Sequence, residues 1–364
     1  MEDNPAIEPH GPKARHRATS PAPKVKPSGK AAASKPVEAQ AAQEWLAMLG
    51  WIALLVITQL LMIVFAKRCT GQAPLPLLLC LAQFTISAVL SSSASHALSR
   101  SRKSKAGNAA PGTPAQLLAP WTVLADILPL SAVWTGGFVM FNAAALHMSP
   151  GMVNVIRCME PLATVCVGAG LGQQFSWQVL ATLVPICGGV AMASLTTGSF
   201  SATGICFAMV SNVAFCCRSF SLQRLRRNPH NKLDDLAVFF NVSWTATVAL
   251  PFLQVPLEGA QVLPSLQALG DRRWIFAMDL LASSVFFFLY QFVQLLVMTQ
   301  LSPLAFSVLT PVVKALMIVV LTLYYGDEMS PLSALGVVLS VAGGYLFTLA
   351  KSNSGRAKDV QKNT

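Results

Sequence analysis

Five ionisable residues stand where ionisable residues are rare. Asp126, Arg157, Glu160, Arg218 and Lys314 each fall inside a run of apolar residues long enough to cross a bilayer. A charge at that depth costs at least about 2.5–3.5 kcal/mol and is kept where it faces a cavity or a partner. Asp279 falls near the start of its run, at an interfacial position. Arg157 follows Pro150 by seven residues and Lys314 follows Pro303 by eleven. The difference is about one helical turn, so on equivalent helices the two would share a face. Two cations on one cavity make an anion site, the guanidinium as a planar fork and the ammonium as a point charge. Glu160, three residues from Arg157, offers another outcome, an ion pair on the same face. Arg218 lies near the end of its run, and the residues alone leave open whether it faces a cavity or snorkels to the interface.

The elements that carry these residues follow from composition. Of 364 residues, 54% are hydrophobic and only 11% charged, with a mean hydropathy of +0.55. A soluble domain carries about 25% charged residues, so lipid is the expected solvent. Ten apolar runs follow: 45–66, 75–98, 121–146, 150–171, 176–197, 202–223, 234–254, 274–299, 303–324 and 331–350. None alternates as barrel strands do. The expectation is an all-α membrane protein of ten transmembrane helices. Residues 1–43 read as a disordered, polar and basic tail, 44–351 as the membrane domain and 352–364 as a short C-terminal tail. Nineteen of the 26 Lys and Arg lie in the tails and in the loops 99–106 and 224–232, against four in the loops of the other side. That bias places both termini in the cytosol.

The two halves resemble each other at an offset of about 154 residues. Met148-Ser149-Pro150 answers Leu301-Ser302-Pro303, and Gly172-Gln-Gln-Phe-Ser176 answers Gly326-Asp-Glu-Met-Ser330. Gly188-Gly189 answers Gly343-Gly344. Five spans are an odd number, so the second copy enters the membrane inverted. The expected build is two inverted five-helix repeats, about 45–197 and 202–351, with a substrate site near the midplane between them.

Other function classes find no footing. The net charge of +11 sits in tails and loops, where it sets topology rather than binding nucleic acid. The eight cysteines form no C-x-x-C pair and have no histidine at ligand spacing, so no metal is expected. A Gly-rich phosphate loop, a zincin motif and a nucleophile elbow are all missing, so the chain reads as a non-enzyme without cofactors. Asn241-Val242-Ser243 matches a glycosylation acceptor but falls inside the seventh run. Phe286, Phe287, Phe288 and Phe292 read as helix or lipid packing. Tyr290, in the same run, brings a hydroxyl that wants a partner in an apolar setting.

These residues carry a family likeness. Asn154-Val-Ile-Arg157-Cys-Met-Glu160-Pro161 resembles the H-V-I-K-x-x-E-P segment of the plastid triose-phosphate translocator and nucleotide-sugar transporter family, within the drug/metabolite transporter superfamily. Ser211-Asn212-x-x-Phe215-x-x-Arg218-Ser219 is similar to that family's S-N-x-x-F-x-x-R-S. Tyr290 matches the tyrosine of its eighth span, and Gly326 to Tyr345 resembles its last loop and helix. The likeness covers about residues 45–351. It implies ten helices, alternating-access exchange, and anion recognition by cations of the fourth, sixth and ninth spans together with the tyrosine. Arg157 stands where the family has lysine, and Asn154 where it has histidine. In the ninth span, Val313 takes the place of the family's lysine and Lys314 that of its arginine, leaving one cation of two. That loss makes a bare triose phosphate less favoured and a nucleotide sugar more so.

The expectation is an antiporter for a phosphorylated organic anion, a nucleotide sugar or sugar phosphate. Arg157 and Lys314 clamp the anionic group, Arg218, Tyr290 and Asn154 contact the substrate, and Glu160 supports Arg157 or a helix contact. The partners expected are that anion and the bilayer. A Golgi or ER membrane is the first choice of location and the plastid envelope the second. Two alternatives stay open. One is a carrier for an unphosphorylated metabolite, its cations paired to Glu160, Asp126 or Asp279. The other is a non-transporting scaffold, whose sign would be a filled centre.

Overall fold

Proline decides where several helices stop. A proline has no N–H to give the carbonyl four residues earlier and crowds it. In the computed structural model, α4 (Pro150–Arg157) ends four residues before Pro161, and α6 (Trp177–Ala181) ends four before Pro185. Each is followed after a short break by a second helix, α5 (Glu160–Gly170) and α7 (Leu183–Leu195). Between α4 and α5 the chain bends by 42°. The other helices run unbroken: α1 (Val37–Gln72), α2 (Pro76–Lys105), α3 (Trp121–His147), α8 (Ala202–Arg227), α9 (Asp235–Ala268), α10 (Arg273–Gln300), α11 (Pro303–Tyr325) and α12 (Pro331–Asn363). The structure describes residues 37–105, 117–195, 201–300, 303–326 and 330–363. No strand occurs among them.

The chain divides into two compact units, 1–46 and 47–364. In the first, the described part is the opening of α1. It is helical from Val37, earlier than the expected tail boundary at 43, because Glu, Ala and Gln fill this stretch and favour helix. Residues 1–36 of that tail lie outside the described residues. At the other end, α12 continues through the expected C-terminal tail to Asn363. The remaining description concerns the second unit.

All ten apolar runs fall on a helix or a pair of short helices. Seven helices are long and apolar enough to cross a membrane, and the bent α4–α5 pair makes an eighth candidate. The α6–α7 stretch Trp177–Ala193 and the Pro311–Tyr325 part of α11 are shorter apolar helical segments. The chain is thus a multi-pass membrane protein, nearly all helical over the described residues.

Packing pairs the helices closely. α3 lies along α8, α7 along α12, α2 against α9 and α10, and α4 against α11. Small residues let two of these pairs approach. A Cβ on Gly189 would stand 2.5 Å from the Gly336 carbonyl oxygen, and one on Gly336 would stand 2.5 Å from that of Gly189. Lipid does not drive helices together by hydrophobicity, so contact of this kind is what holds them. At the α3–α8 crossing, the Ser211 hydroxyl donates to the Gly137 carbonyl at 2.8 Å, and a Cβ at Gly137 would meet the Phe215 ring at 2.8 Å.

α9 outruns its expected end at 254 and continues to Ala268 through Pro251, Pro256 and Pro264. The extension brings Glu258 to the start of α2. Its carboxylate accepts from the Leu77 and Leu78 N–H groups at 2.7 and 3.0 Å, satisfying donors that a helix start leaves open. Asn241 is equally occupied. It donates to the Leu117 and Ala237 carbonyls and accepts from the Ala119 N–H, tying α9 to the entry of α3. Phe287 is fully buried against Phe84 and Phe138, and Phe288 stacks on Phe239 and Phe292, so these rings pack helix on helix.

Candidate functional site

A cavity of about 420 Å³ lies among α1, α3, α4, α5, α8, α9, α10 and α11. The six residues expected to bind the substrate or support its binding all line it: Asn154, Arg157, Glu160, Arg218, Tyr290 and Lys314. With Arg226 they give four cations against one carboxylate.

The local break at Pro161 shapes the site. Because Pro161 has no N–H, the Arg157 carbonyl has no donor four residues on. The Lys314 ammonium donates to it at 3.2 Å and to Glu160 Oε2 at 2.8 Å. The neighbouring Ile156 carbonyl accepts from the Asn212 amide at 3.0 Å. Glu160 therefore pairs with Lys314 on α11 and not with Arg157. The bend between α4 and α5 takes the two residues out of the regular three-residue register on which a same-face pair depends. Of the two roles expected for Glu160, support of Arg157 or a helix contact, the contact between helices is the one present, and Lys314 is ion-paired in this state.

Arg157 and Arg218 are held differently. The Arg157 guanidinium lies 5.3 Å from the Phe141 ring centroid and 4.9 Å from that of Phe215. Arg218 lies 4.7 Å from Trp134 and 5.0 Å from Phe215. Phe215, seated where Gly137 leaves room, thus serves both cations. Ring faces attract a cation without neutralising it. Among the described residues, neither arginine has a carboxylate within ion-pair distance, and the buried Arg157 Nε has no hydrogen-bond partner. Arg218 turns to the cavity rather than snorkelling away from it.

The remaining acids are occupied elsewhere. Asp126 pairs with Arg224 at 3.1 Å and accepts from Asn228 at 2.8 Å. Asp279 pairs with Arg68 at 3.2 Å and accepts from Gln72 at 2.8 Å. The alternative in which these two acids neutralise the cavity cations does not hold. Asn154 is buried, and its amide nitrogen donates to the Pro150 carbonyl of its own helix at 2.9 Å.

Sequence reasoning missed Trp134, Gln59, Gln291 and Gln294, which share the cavity wall. Trp134 resembles any core aromatic. The three glutamines did carry a signal, since an uncharged amide inside an apolar run also needs a partner.

These helices and this cationic cavity define a polytopic membrane protein with an internal anion-attracting chamber. Comparison places it further. The profile of the Triose-phosphate Transporter family matches residues 46–348, and the chain belongs to that family, a family of transporters. It is 33% identical over 231 residues to the rice phosphoenolpyruvate/phosphate translocator 1, chloroplastic (Oryza sativa subsp. japonica), covering 63% of this chain and 56% of that protein. It is 31% identical over 235 residues to the triose phosphate/phosphate translocator, non-green plastid, chloroplastic, of Brassica oleracea var. botrytis, covering 63% and 57%. To the glucose-6-phosphate/phosphate translocator 2, chloroplastic, of Arabidopsis thaliana it is 28% identical over 233 residues, covering 62% and 58%. The matched segment thus spans little more than half the length of these relatives. Their names are those of plastid phosphate translocators, so the expected nucleotide sugar and Golgi or ER membrane gain no support from them.

Proposed function

We propose that this protein is an antiporter exchanging a small phosphorylated organic anion for inorganic phosphate across a plastid envelope membrane. The observation that carries the reading is the pair of guanidiniums, Arg157 and Arg218, on one cavity wall with no carboxylate partner among the described residues. The names of the relatives support phosphate as one exchanged partner and the plastid as the place. A scaffold would be expected to have a filled centre, and a cavity of about 420 Å³ speaks against one.

In this reading the phosphoryl group is held by Arg157 and Arg218, whose donors fit its oxygens. Lys314 exchanges its Glu160 partner for the phosphoryl group and becomes the third cation. Tyr290 and Asn154 contact the organic part. The loaded carrier reorients with its charges matched. The empty carrier keeps two unmatched guanidiniums in a cavity that closure would dehydrate, and stays in place. Exchange is therefore obligatory.

Reorientation rests on ten spans in two inverted repeats. Three pairs of expected repeat counterparts pack directly on each other, α2 on α9, α4 on α11 and α7 on α12, as elements beside a pseudo-two-fold axis do. The counterparts Gly172 and Gly326 share a left-handed backbone, with φ of 77° and 66°, each just past its helix end.

The test is uptake of labelled phosphate by liposomes holding the purified protein. Uptake is expected when the vesicles are loaded with phosphate or a phosphate ester, and only slow uptake when they are empty. Equal uptake by loaded and empty vesicles would contradict obligatory exchange.

A further inference from the structure

Gln291 follows Tyr290 on α10 and lines the cavity at 2% exposure. Neither its Nε2 nor its Oε1 has a hydrogen-bond partner. Buried amides are almost always satisfied, because leaving one open forfeits its solvation without return. An amide open at both ends on a cavity wall is a position kept for something that enters the cavity.

The open atoms also state what that is. Nε2 donates and Oε1 accepts. The oxygens of an ionised carboxylate, and of a fully ionised phosphate ester, only accept, so against either one Oε1 stays unmatched and repelled. A hydroxyl both donates and accepts, and answers both atoms. Gln59 and Gln294, on the same wall, are amides of the same two-way kind. The charged oxygens already have their donors in Arg157 and Arg218.

We infer that Gln291 reads a hydroxyl on the organic part of the substrate, and that the organic substrates are hydroxylated phosphate esters, sugar or polyol phosphates, rather than phosphorylated carboxylates. This rests on the anion-exchange reading of the same cavity. Gln291 then sets specificity, while the guanidiniums set affinity for phosphate.

The experiment uses the full chain in phosphate-loaded liposomes. Half-saturating concentrations are measured for external phosphate, glycerol 3-phosphate, glucose 6-phosphate and phosphoenolpyruvate, in the wild type and in Gln291→Met. Methionine keeps the length of the side chain, removes both hydrogen-bonding atoms, and suits a buried site. The wild type is expected to favour one of the hydroxylated esters over phosphoenolpyruvate. Gln291→Met is expected to raise the half-saturating concentration of that ester about tenfold relative to that of phosphate, near the effect of one lost hydrogen bond. A wild type that favours phosphoenolpyruvate overturns the inference. So does a variant in which phosphate and the ester shift equally, or neither shifts. A wild type with no phosphate–phosphate exchange at all would instead bring down the anion-exchange reading, so the two failures are distinguishable.

Discussion

Charged residues at the ends of the helices and charged residues around the cavity obey different rules. At the ends, matching is thorough. Arg68 and Gln72 meet Asp279, Glu258 caps α2, Arg224 and Asn228 meet Asp126, and Arg226 meets Asp235. Lys67 donates to the Ala145 and Met148 carbonyls at the end of α3. In the centre, among the described residues, Lys314 has one acid, while Arg157 and Arg218 have aromatic faces and no carboxylate partner. Charges of the first kind join helices. Those of the second are held in position without being neutralised, and in the proposed reading they await an anion from outside.

The contrast can be broken at either end. The largest effect belongs to the double change Arg157→Gln with Arg218→Gln. It should leave thermal stability near that of the wild type and reduce phosphate exchange below detection, since truncating one charged partner of a bound anion already costs about 2–5 kcal/mol. Glu258→Gln should act the other way. It weakens a charged cap on buried N–H groups and lowers stability by about 1–3 kcal/mol, read as a fall in melting temperature, while protein that stays folded keeps the wild-type half-saturation for phosphate. Glu160→Gln sharpens the comparison from within the cavity. It frees Lys314 from its competitor and should tighten phosphate binding about tenfold, or roughly 1.4 kcal/mol, by equilibrium binding. The smallest effect is expected for Arg224→Gln, whose side chain is 82% exposed. Its partner Asp126 is only 12% exposed but keeps the Asn228 amide, so stability should fall by no more than about 1 kcal/mol and exchange should stay within error.

Much of this was legible in the sequence, and the exceptions have physical causes. Apolar runs of membrane length gave the helices, and charges inside them pointed to residues that line the cavity, because lipid penalises both polar backbone and unpaired charge. The turn-spaced Arg157 and Lys314 do meet at one cavity. The breaks were harder. Pro161 and Pro185 end helices, while Pro129, Pro251, Pro256, Pro264 and Pro311 lie inside continuous ones. Proline always frees a carbonyl, and whether the helix yields depends on neighbours that supply a substitute donor. Here Lys314 gives that donor to Arg157, from 157 positions away in the chain. The partner choice of Glu160 follows from the same break, so a local i,i+3 rule could not foresee it. Trp134 escaped notice because an indole that backs a guanidinium and one that fills a core look alike in sequence.

The central claim is that unpaired cavity cations bind the transported anion, and the most direct measurement is phosphate–phosphate exchange by Arg157→Gln beside Arg224→Gln in matched liposomes. Each variant removes one guanidinium, the first from the cavity and the second from a helix end. The account predicts a loss of about 100-fold or more for Arg157→Gln, equivalent to roughly 3 kcal/mol, and wild-type rates for Arg224→Gln. Folded Arg157→Gln protein exchanging phosphate as fast as Arg224→Gln would contradict it.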